Sequence, residues 1–339
     1  MPRRHAGLHE VDITDPGILR RRSGRGFTYL HASGRRVRHR RTLARIKALV
    51  IPPAWTDVWI CPDPLGHIQA VGVDDRGRRQ YRYHDDWRVE RDREKHDRVL
   101  ELAEFMPRLR ERVAADLVHD DLDRDRVLAA AIRLLELGLF RVGGERYVDE
   151  NDSYGLATLQ KRHVRVRGDE LAFDYPAKSG QRRKIVIDDP ELAPVVAALK
   201  RRRRGGTELL AYKDDRGHWT DVRSADINGY LRAAVGDGYS SKDVRTWAGT
   251  VLAAVALAAE DATGEGGGGA GGGDRPPAQG VPRAMKQVAE QLGNTPAVAR
   301  SSYVDPRVIT SYEHGTTVDP DSDDIDDVEA AVIELIEEA

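Results

Sequence analysis

Arginine, lysine and tyrosine are the residues of this sequence that could act together chemically, and the chemistry they suit is phosphoryl transfer without a metal. Breaking a phosphodiester in that way takes a nucleophile, cations to hold charge on the phosphoryl oxygens, and an acid for the leaving sugar oxygen. The planar, permanently charged fork of arginine can give a phosphate two hydrogen bonds, whereas lysine can give up its proton. With 54 Lys+Arg in 339 residues, abundance alone does not single out those placed to act. Other chemistries find less support. Cys61 is the only cysteine, which excludes a disulfide framework and cysteine-rich metal sites. His31, His39, His67, His84, His96 and His163 show no His-x-x-x-His or similar ligand spacing. The acidic C-terminal stretch lacks the glycine and terminal Glu of a calcium loop. Neither a metal nor a small-molecule cofactor is expected. The run GEGGGGAGGGDRPPAQG lacks a following Lys-Ser/Thr and a preceding strand, so it reads as a flexible linker (261–280) rather than a phosphate-binding loop.

Charge is unevenly distributed. Up to residue 250 there are 49 basic against 39 acidic residues, from 251 to 317 there are 5 against 7, and from 318 to 339 none against 10. The formal net charge of -2 therefore conceals a basic body and an acidic tail. Basic surface binds polyanions by releasing their counterions, and RRR at 20–22 with RRVRHRR at 35–41 points to nucleic acid. No window reaches the roughly 18 apolar residues of a membrane span, and no apolar stretch follows the N-terminal arginines. A cytoplasmic protein in a reducing compartment, with no membrane partner, is expected.

Positioning such residues falls to two kinds of element. Residues 26–38 read as two short strands around Ala32-Ser33-Gly34, a brief helix stops at Pro52-Pro53, and alternating segments follow at 56–61, 67–73 and 78–84. From about Arg93 the period becomes helical, and Gly138 is placed to stop the helix beginning at Arg124. LFRVGGERYV reads as a short strand with a Gly-Gly turn, and LAFDYPA with RRKIVID as a hairpin closed by Lys178-Ser179-Gly180. Helices resume after Asp189-Pro190, at Ser224, at SKDVRTW, at PRAMKQVAEQLG and at Thr295-Pro296. Apolar residues at 328, 332 and 335 suit a marginal amphipathic helix behind a disordered acidic stretch. The expected fold is α+β, with a small mostly-β domain at 1–92, a mainly α-helical domain with a β-hairpin at 93–317, and an acidic tail at 318–339. That tail could compete within the molecule for a basic groove or simply aid solubility.

Four segments, in order, resemble those of type IB DNA topoisomerases of the short bacterial and poxviral kind. LFRVGGERYVDENDSYGLATLQKRHV is similar to the segment with the first catalytic arginine, FDYPAKSGQ to the catalytic-lysine hairpin, KDVRTW to the Lys-x-x-Arg motif, and LGNTPAVARSSYVDPRV to the segment ending in the nucleophile. VGVDDRGRRQYRYH resembles the strand with which the short enzymes touch DNA in the major groove. The resemblance implies that Tyr303 forms a 3′-phosphotyrosyl link, that Arg141 and Arg245 bracket the scissile phosphate, and that Lys178 protonates the 5′ oxygen with help from Lys242. It puts Asn294 where the family commonly has a histidine, although a side-chain amide can still donate a hydrogen bond. It implies DNA contacts from Arg78, Arg79, Gln80, Tyr81 and Tyr83, with Gln80 suited to a base edge. The implied activity is relaxation of supercoiled double-stranded DNA by a monomer at the nucleoid, as a clamp, without ATP or metal. A tyrosine recombinase is the nearest alternative, yet Lys242 stands where recombinases typically have histidine, and the front half is strand-rich. A non-catalytic DNA-binding protein on the same fold is the other, although Arg141, Lys178, Arg245 and Tyr303 are all chemically competent.

Overall fold

The computed structural model describes residues 7–144, 153–262, 279–319 and 324–339. Most of the glycine-rich run, the end of LFRVGGERYV and part of the acidic stretch lie outside the described residues. The chain divides into two compact units, Met1–Asp97 and Arg98–Ala339, a few residues beyond the boundary drawn from sequence.

In the first unit, β1 (Ile18–Ser23), β2 (Gly26–Leu30), β3 (Thr56–Ile60), β4 (Ile68–Val73) and β5 (Arg79–Tyr83) form an antiparallel sheet in the order β2-β1-β3-β4-β5. Its apolar residues, including Ile18, Val58, Ile60 and Ala70, pack with Ile46 of α1 (Arg40–Ala48). One expectation is corrected here. The partner of the strand at 26–30 is β1, while the residues after the Ala32-Ser33-Gly34 turn supply only the isolated bridge Leu30↔Arg36. The arginine run at 20–22 looks like solvated charge, but Arg20 is half-buried. It donates to the carbonyls of Ile51 (3.3 Å), Pro52 (3.1 Å) and Trp55 (2.6 Å) and lies over the Phe27 ring. Such donation satisfies carbonyls that a strand of apolar residues would leave open.

In the second unit the described helices are the C-terminal part of α2 (Asp85–Ala103), α3 (Met106–Leu117), α4 (Arg124–Gly138), α5 (Leu192–Arg201), α6 (Ser224–Val235), α7 (Ser241–Ala262), α8 (Gly280–Leu292), α9 (Pro296–Tyr303), α10 (Pro306–Glu313) and α11 (Ile325–Glu337). A three-stranded antiparallel sheet, β6 (Val164–Arg167), β7 (Glu170–Pro176) and β8 (Arg182–Asp188), carries the expected hairpin, and a second small hairpin pairs β9 (Ala211–Lys213) with β10 (Trp219–Asp221). The core centres on α4, whose residues Val127–Ile132, Leu134 and Leu135 are all buried.

Local chemistry explains most of the helix ends. Asp123 accepts from the backbone of Arg126, Thr295 from Val298 and Asp305 from Arg307, each meeting a donor that a helix start leaves unpaired. Two ends differ from the sequence reading. Arg223 rather than Ser224 stands at the cap of α6, because the Asp226 carboxylate reaches back to its backbone N–H at 2.9 Å. At the end of α4 the left-handed residue is Leu139 (φ 48°), not Gly138. Gly138 is required for another reason: a Cβ there would lie 2.2 Å from the Phe140 ring.

The helix read from residues 328, 332 and 335 is present, and it is packed rather than marginal. Helix α11 buries Val328, Val332, Leu335 and Ile336 in the main core.

Candidate active site

The first candidate arginine follows directly from the end of α4. Phe140 is fully buried, edge-on to Phe173 (centroids 5.0 Å apart) and stacked on Tyr175 (5.9 Å), both on β7. This anchors the chain just before Arg141. The Arg141 carbonyl accepts from Leu156 N–H (2.8 Å) and that of Val142 from Ala157 (2.9 Å). Beyond them the backbones of Gly143 and Gly155 meet so closely that a Cβ on Gly143 would sit 2.7 Å from the Gly155 Cα. At Gly143, where φ is +77°, only glycine relieves both constraints.

The second arginine stands one turn into α7. Asp243 fixes that helix start by accepting from Ser240 N–H (3.0 Å) and from Arg98 (2.8 Å). Arg245 is only 3 % exposed. One Nη donates to the Leu292 carbonyl, while Nε and the other Nη have no hydrogen-bond partner among the described residues. Burial, reinforced by the neighbouring charge of Arg141, pushes the Arg245 guanidinium down to about 10.

Tyr303 ends α9 and is half-buried, with its ring centroid 5.3 Å from the Arg245 Cζ. Burial alone would raise its phenol, but the charges of Arg245 and Arg141 outweigh burial and hold it below the ordinary tyrosine value. Its backbone is set against α7. Gly249 lets it approach, since a Cβ there would lie 2.8 Å from the Tyr303 carbonyl oxygen. Thr250 Oγ1, whose proton is shared between the Thr246 carbonyl (3.1 Å) and that oxygen (3.4 Å), accepts from the Asp305 N–H (3.1 Å).

Asn294 follows the left-handed Gly293 (φ +59°) that ends α8. Its side-chain oxygen accepts from Arg141, leaving its amide nitrogen buried without a partner among the described residues. A donor so placed is available to an incoming acceptor. Lys178 is exposed in a short turn between β7 and β8, where Gly180 takes φ +72°. It lines one small cleft with Arg141, Tyr175, Arg183 and Arg245. Lys242 is exposed in the first turn of α7, outside the residues that line this cleft. The structure thus brings Arg141, Arg245, Asn294 and Tyr303 together, with Lys178 at the rim.

The sequence reading missed Tyr175, Arg183 and Gly249. Tyr175 pairs with Arg183 across the hairpin. Burial raises the Tyr175 phenol despite the nearby charges of Arg183, Arg245 and Arg141. Adjacent arginines 182 and 183 look alike in the sequence, and only hairpin register distinguishes them: Arg182 is exposed on Asp174.

On the first unit, β5 alternates. Arg79, Tyr81 and Tyr83 are exposed while Gln80 and Arg82 are half-buried, so Gln80 does not share the face of the two tyrosines. Tyr81 and Tyr83 stack with centroids 6.0 Å apart. Gln80 donates to Asp74 (2.9 Å), which Arg78 also contacts (2.9 Å). Hydrogen bonds from the Arg78 backbone and side chain and from the Arg76 backbone, with the Arg78 charge, hold the Asp74 carboxyl down at about 2.

A tyrosine beneath two guanidiniums, on a mainly helical unit joined to a small β-sheet unit, defines a protein of the tyrosine phosphoryl-transfer class. Comparison narrows the class. The model for the catalytic core of eukaryotic DNA topoisomerase I matches residues 84–317, and that for the N-terminal domain of bacterial DNA topoisomerase IB matches residues 26–74. DNA topoisomerase 1B of Acanthamoeba polyphaga mimivirus is 29% identical over 302 residues, 88% of either chain. DNA topoisomerase 1B of vaccinia virus (strain Copenhagen) is 26% identical over 142 residues, 40% of this chain and 45% of the viral one. The chain belongs to the type IB DNA topoisomerase family, in its short viral and bacterial branch. These matches favour a topoisomerase over a recombinase.

Proposed function

We propose that this protein relaxes supercoiled duplex DNA by nicking and resealing one strand, with Tyr303 as the nucleophile. The observation that carries the reading is the Tyr303 ring 5.3 Å from the Cζ of a buried guanidinium whose charge acts on the phenol and two of whose nitrogens bond no acceptor other than that phenol among the described residues. Tyr303 Oη, its proton released to solvent, attacks the phosphorus as the phenolate, the bond to the 5′ oxygen breaks, and Lys178 gives that oxygen its proton. The strand end remains on the phenol as a 3′-phosphotyrosine, an ester close in energy to the bond it replaced, so reversal reseals the strand without ATP. Arg141, Arg245 and the Asn294 amide hold the phosphoryl oxygens as negative charge builds on them. Lys242 assists from one turn before Arg245. Arg78, Arg79, Tyr81 and Tyr83 meet the duplex from the first unit. Gln80 holds Asp74 with one amide N–H, which leaves its Oε1 and second N–H for a base edge.

The working form is a monomeric clamp on nucleoid DNA. Purified protein is expected to relax plasmid of either supercoil sign in EDTA without ATP. Tyr303→Phe should abolish relaxation while leaving DNA binding nearly intact, and a Phe variant that still relaxes DNA would remove the proposed nucleophile. Binding should weaken steeply with salt, because a clamp touching several phosphates releases several counterions. A flat salt response argues against the clamp.

A further inference from the structure

The C-terminal end of α8 is the common anchor of the arginine cluster. A helix leaves its last carbonyls unpaired and concentrates partial negative charge there, so cations are favoured. Here the Ala289 carbonyl is met by the Asn294 N–H at 2.9 Å. The next four carbonyls all accept from arginine, and that of Glu290 accepts also from the Gly293 N–H at 3.2 Å. Arg183 donates to Glu290 O (3.1 Å) and Gln291 O (2.8 Å), Arg245 donates to Leu292 O, and Arg141 donates to Gly293 O (3.2 Å) and to the Asn294 side chain. Three guanidiniums from three separate segments therefore share one helix end. Of the three, Arg183 takes the two carbonyls nearest the helix body and ties them to the hairpin that presents Lys178.

We propose that Arg183 is a positioning residue for strand cleavage, holding the end of α8 in register with the hairpin so that Arg245, Arg141 and Asn294 face the phosphate. This rests on the assignment of Tyr303 and the two arginines under Proposed function. Two geometric facts support it. The Arg183 fork sets a separate nitrogen on each of two successive carbonyls, a fixed planar geometry that the single Nζ of a lysine does not reproduce. Packing around it is also tight, because a Cβ on Gly293 would lie 2.6 Å from Arg183 Nη1. A pH readout follows, because the charges acting on the Tyr303 phenol are Arg245 from α7 and Arg141 from the segment after α4, while α8 contributes carbonyls. Arg183 and Lys178 line the neighbouring cleft. If the end of α8 drifts, both charges drift with it and the phenol loses their help.

The test is single-turnover cleavage of a nicked suicide duplex across pH, with wild type, Arg183→Met, Arg183→Lys and Gly293→Ala, and with Arg182→Met as the neighbouring control. Arg183→Met is expected to slow cleavage at saturating DNA by on the order of 10²-fold, as small misplacements of catalytic groups do. It should also move the rising limb of the pH profile upward and leave DNA affinity near wild type. Arg183→Lys should fall between, Gly293→Ala should behave like Arg183→Met, and Arg182→Met should match wild type. Should Arg183→Met fail to fold, Arg183→Lys carries the same reading, and Gly293→Ala, itself strained at its left-handed φ, is compared with wild type at equal folded fraction. An unchanged rate, or a slower rate with an unmoved pH profile, overturns the proposal. A wild-type covalent complex linked through a residue other than Tyr303 would instead overturn the catalytic assignment beneath it.

Discussion

A guanidinium buried with two unpartnered N–H groups is a cost to the unliganded fold, and Arg245 is in that position. Removing it should therefore separate stability from chemistry. Arg245→Met is expected to leave the Tm within a few degrees of wild type, because relief of a buried, unpaired charge offsets the lost hydrogen bond to the Leu292 carbonyl, worth about 1.5–3 kcal/mol. Strand cleavage should meanwhile fall by on the order of 10²–10³-fold, as it does when a preorganised donor to a developing oxyanion is lost. A Tm that drops several degrees together with activity would assign Arg245 to the scaffold instead. The pH dependence follows from the same pair of groups. Arg245 and Arg141 hold the Tyr303 phenol below its ordinary value, so cleavage should rise with pH as the nucleophile ionises. It should fall again as Arg245, pushed down to about 10, loses its proton. At subsaturating DNA the profile reports the free protein, and a rate still climbing well above pH 10 contradicts the sign of the Arg245 shift. Asn294 offers the third residue-level test. Its free amide predicts that Asn294→Ala loses about 10–10²-fold in cleavage whereas Asn294→His keeps most of it, measured on the same suicide duplex. Equal loss in both would take the amide out of the reaction.

Elements hold these residues to tolerances that the sequence expresses unevenly. The order of the arginine, lysine and tyrosine segments was legible, because each motif is a short contiguous run whose residue types can be read without knowing what packs on it. Helix starts at Asp123, Thr295 and Asp305 were legible for the same reason: the capping side chain sits next to the donors it satisfies. What was not legible depends on partners far along the chain. Arg183 differs from Arg182 only through its position opposite Tyr175 and beneath α8. β1 was hidden because Arg20 finds its carbonyls about thirty residues downstream. Gly249, an unremarked glycine within a helical run, proves to be where the Tyr303 backbone touches α7. Gly249→Ala would put a Cβ 2.8 Å from the Tyr303 carbonyl and 3.2 Å from its Cβ, pushing α9 away from α7. Overpacking of this kind costs about 1–3 kcal/mol. The expected outcome is a lowered Tm and a cleavage rate reduced by more than the stability loss explains, because the displaced residue is the nucleophile. A variant with full cleavage activity would show that this contact does not set the reach of Tyr303.

Across the whole molecule, the acidic C-terminal stretch has two faces with different consequences. Its inner face is part of the second unit. Val328, Val332, Leu335 and Ile336 are buried, and Arg110 joins Glu329 at 2.8 Å and Glu136 at 2.6 Å while also meeting Asp326. The surrounding carboxylates hold the Arg110 guanidinium in its charged form, whereas burial pushes the Glu136 carboxyl up despite the charges of Arg110 and Arg133, so the cluster depends chiefly on Arg110. Deleting residues 318–339 would therefore remove core contacts as well as charge, and a marked fall in Tm is expected. Arg110→Met should do the same from the other side, by about 3–5 kcal/mol, because buried carboxylates lose their partner. The outer face carries Asp327, Glu334, Glu337 and Glu338, all exposed. Competition with DNA for the basic surface, if the stretch performs it, acts through these. Replacing the four by their amides keeps α11 in place and removes four negative charges. That variant is expected to keep the wild-type Tm and to bind non-specific duplex more tightly at low salt, with the difference vanishing as salt screens it. Unchanged affinity at low salt would leave the stretch with its structural role in the second unit alone.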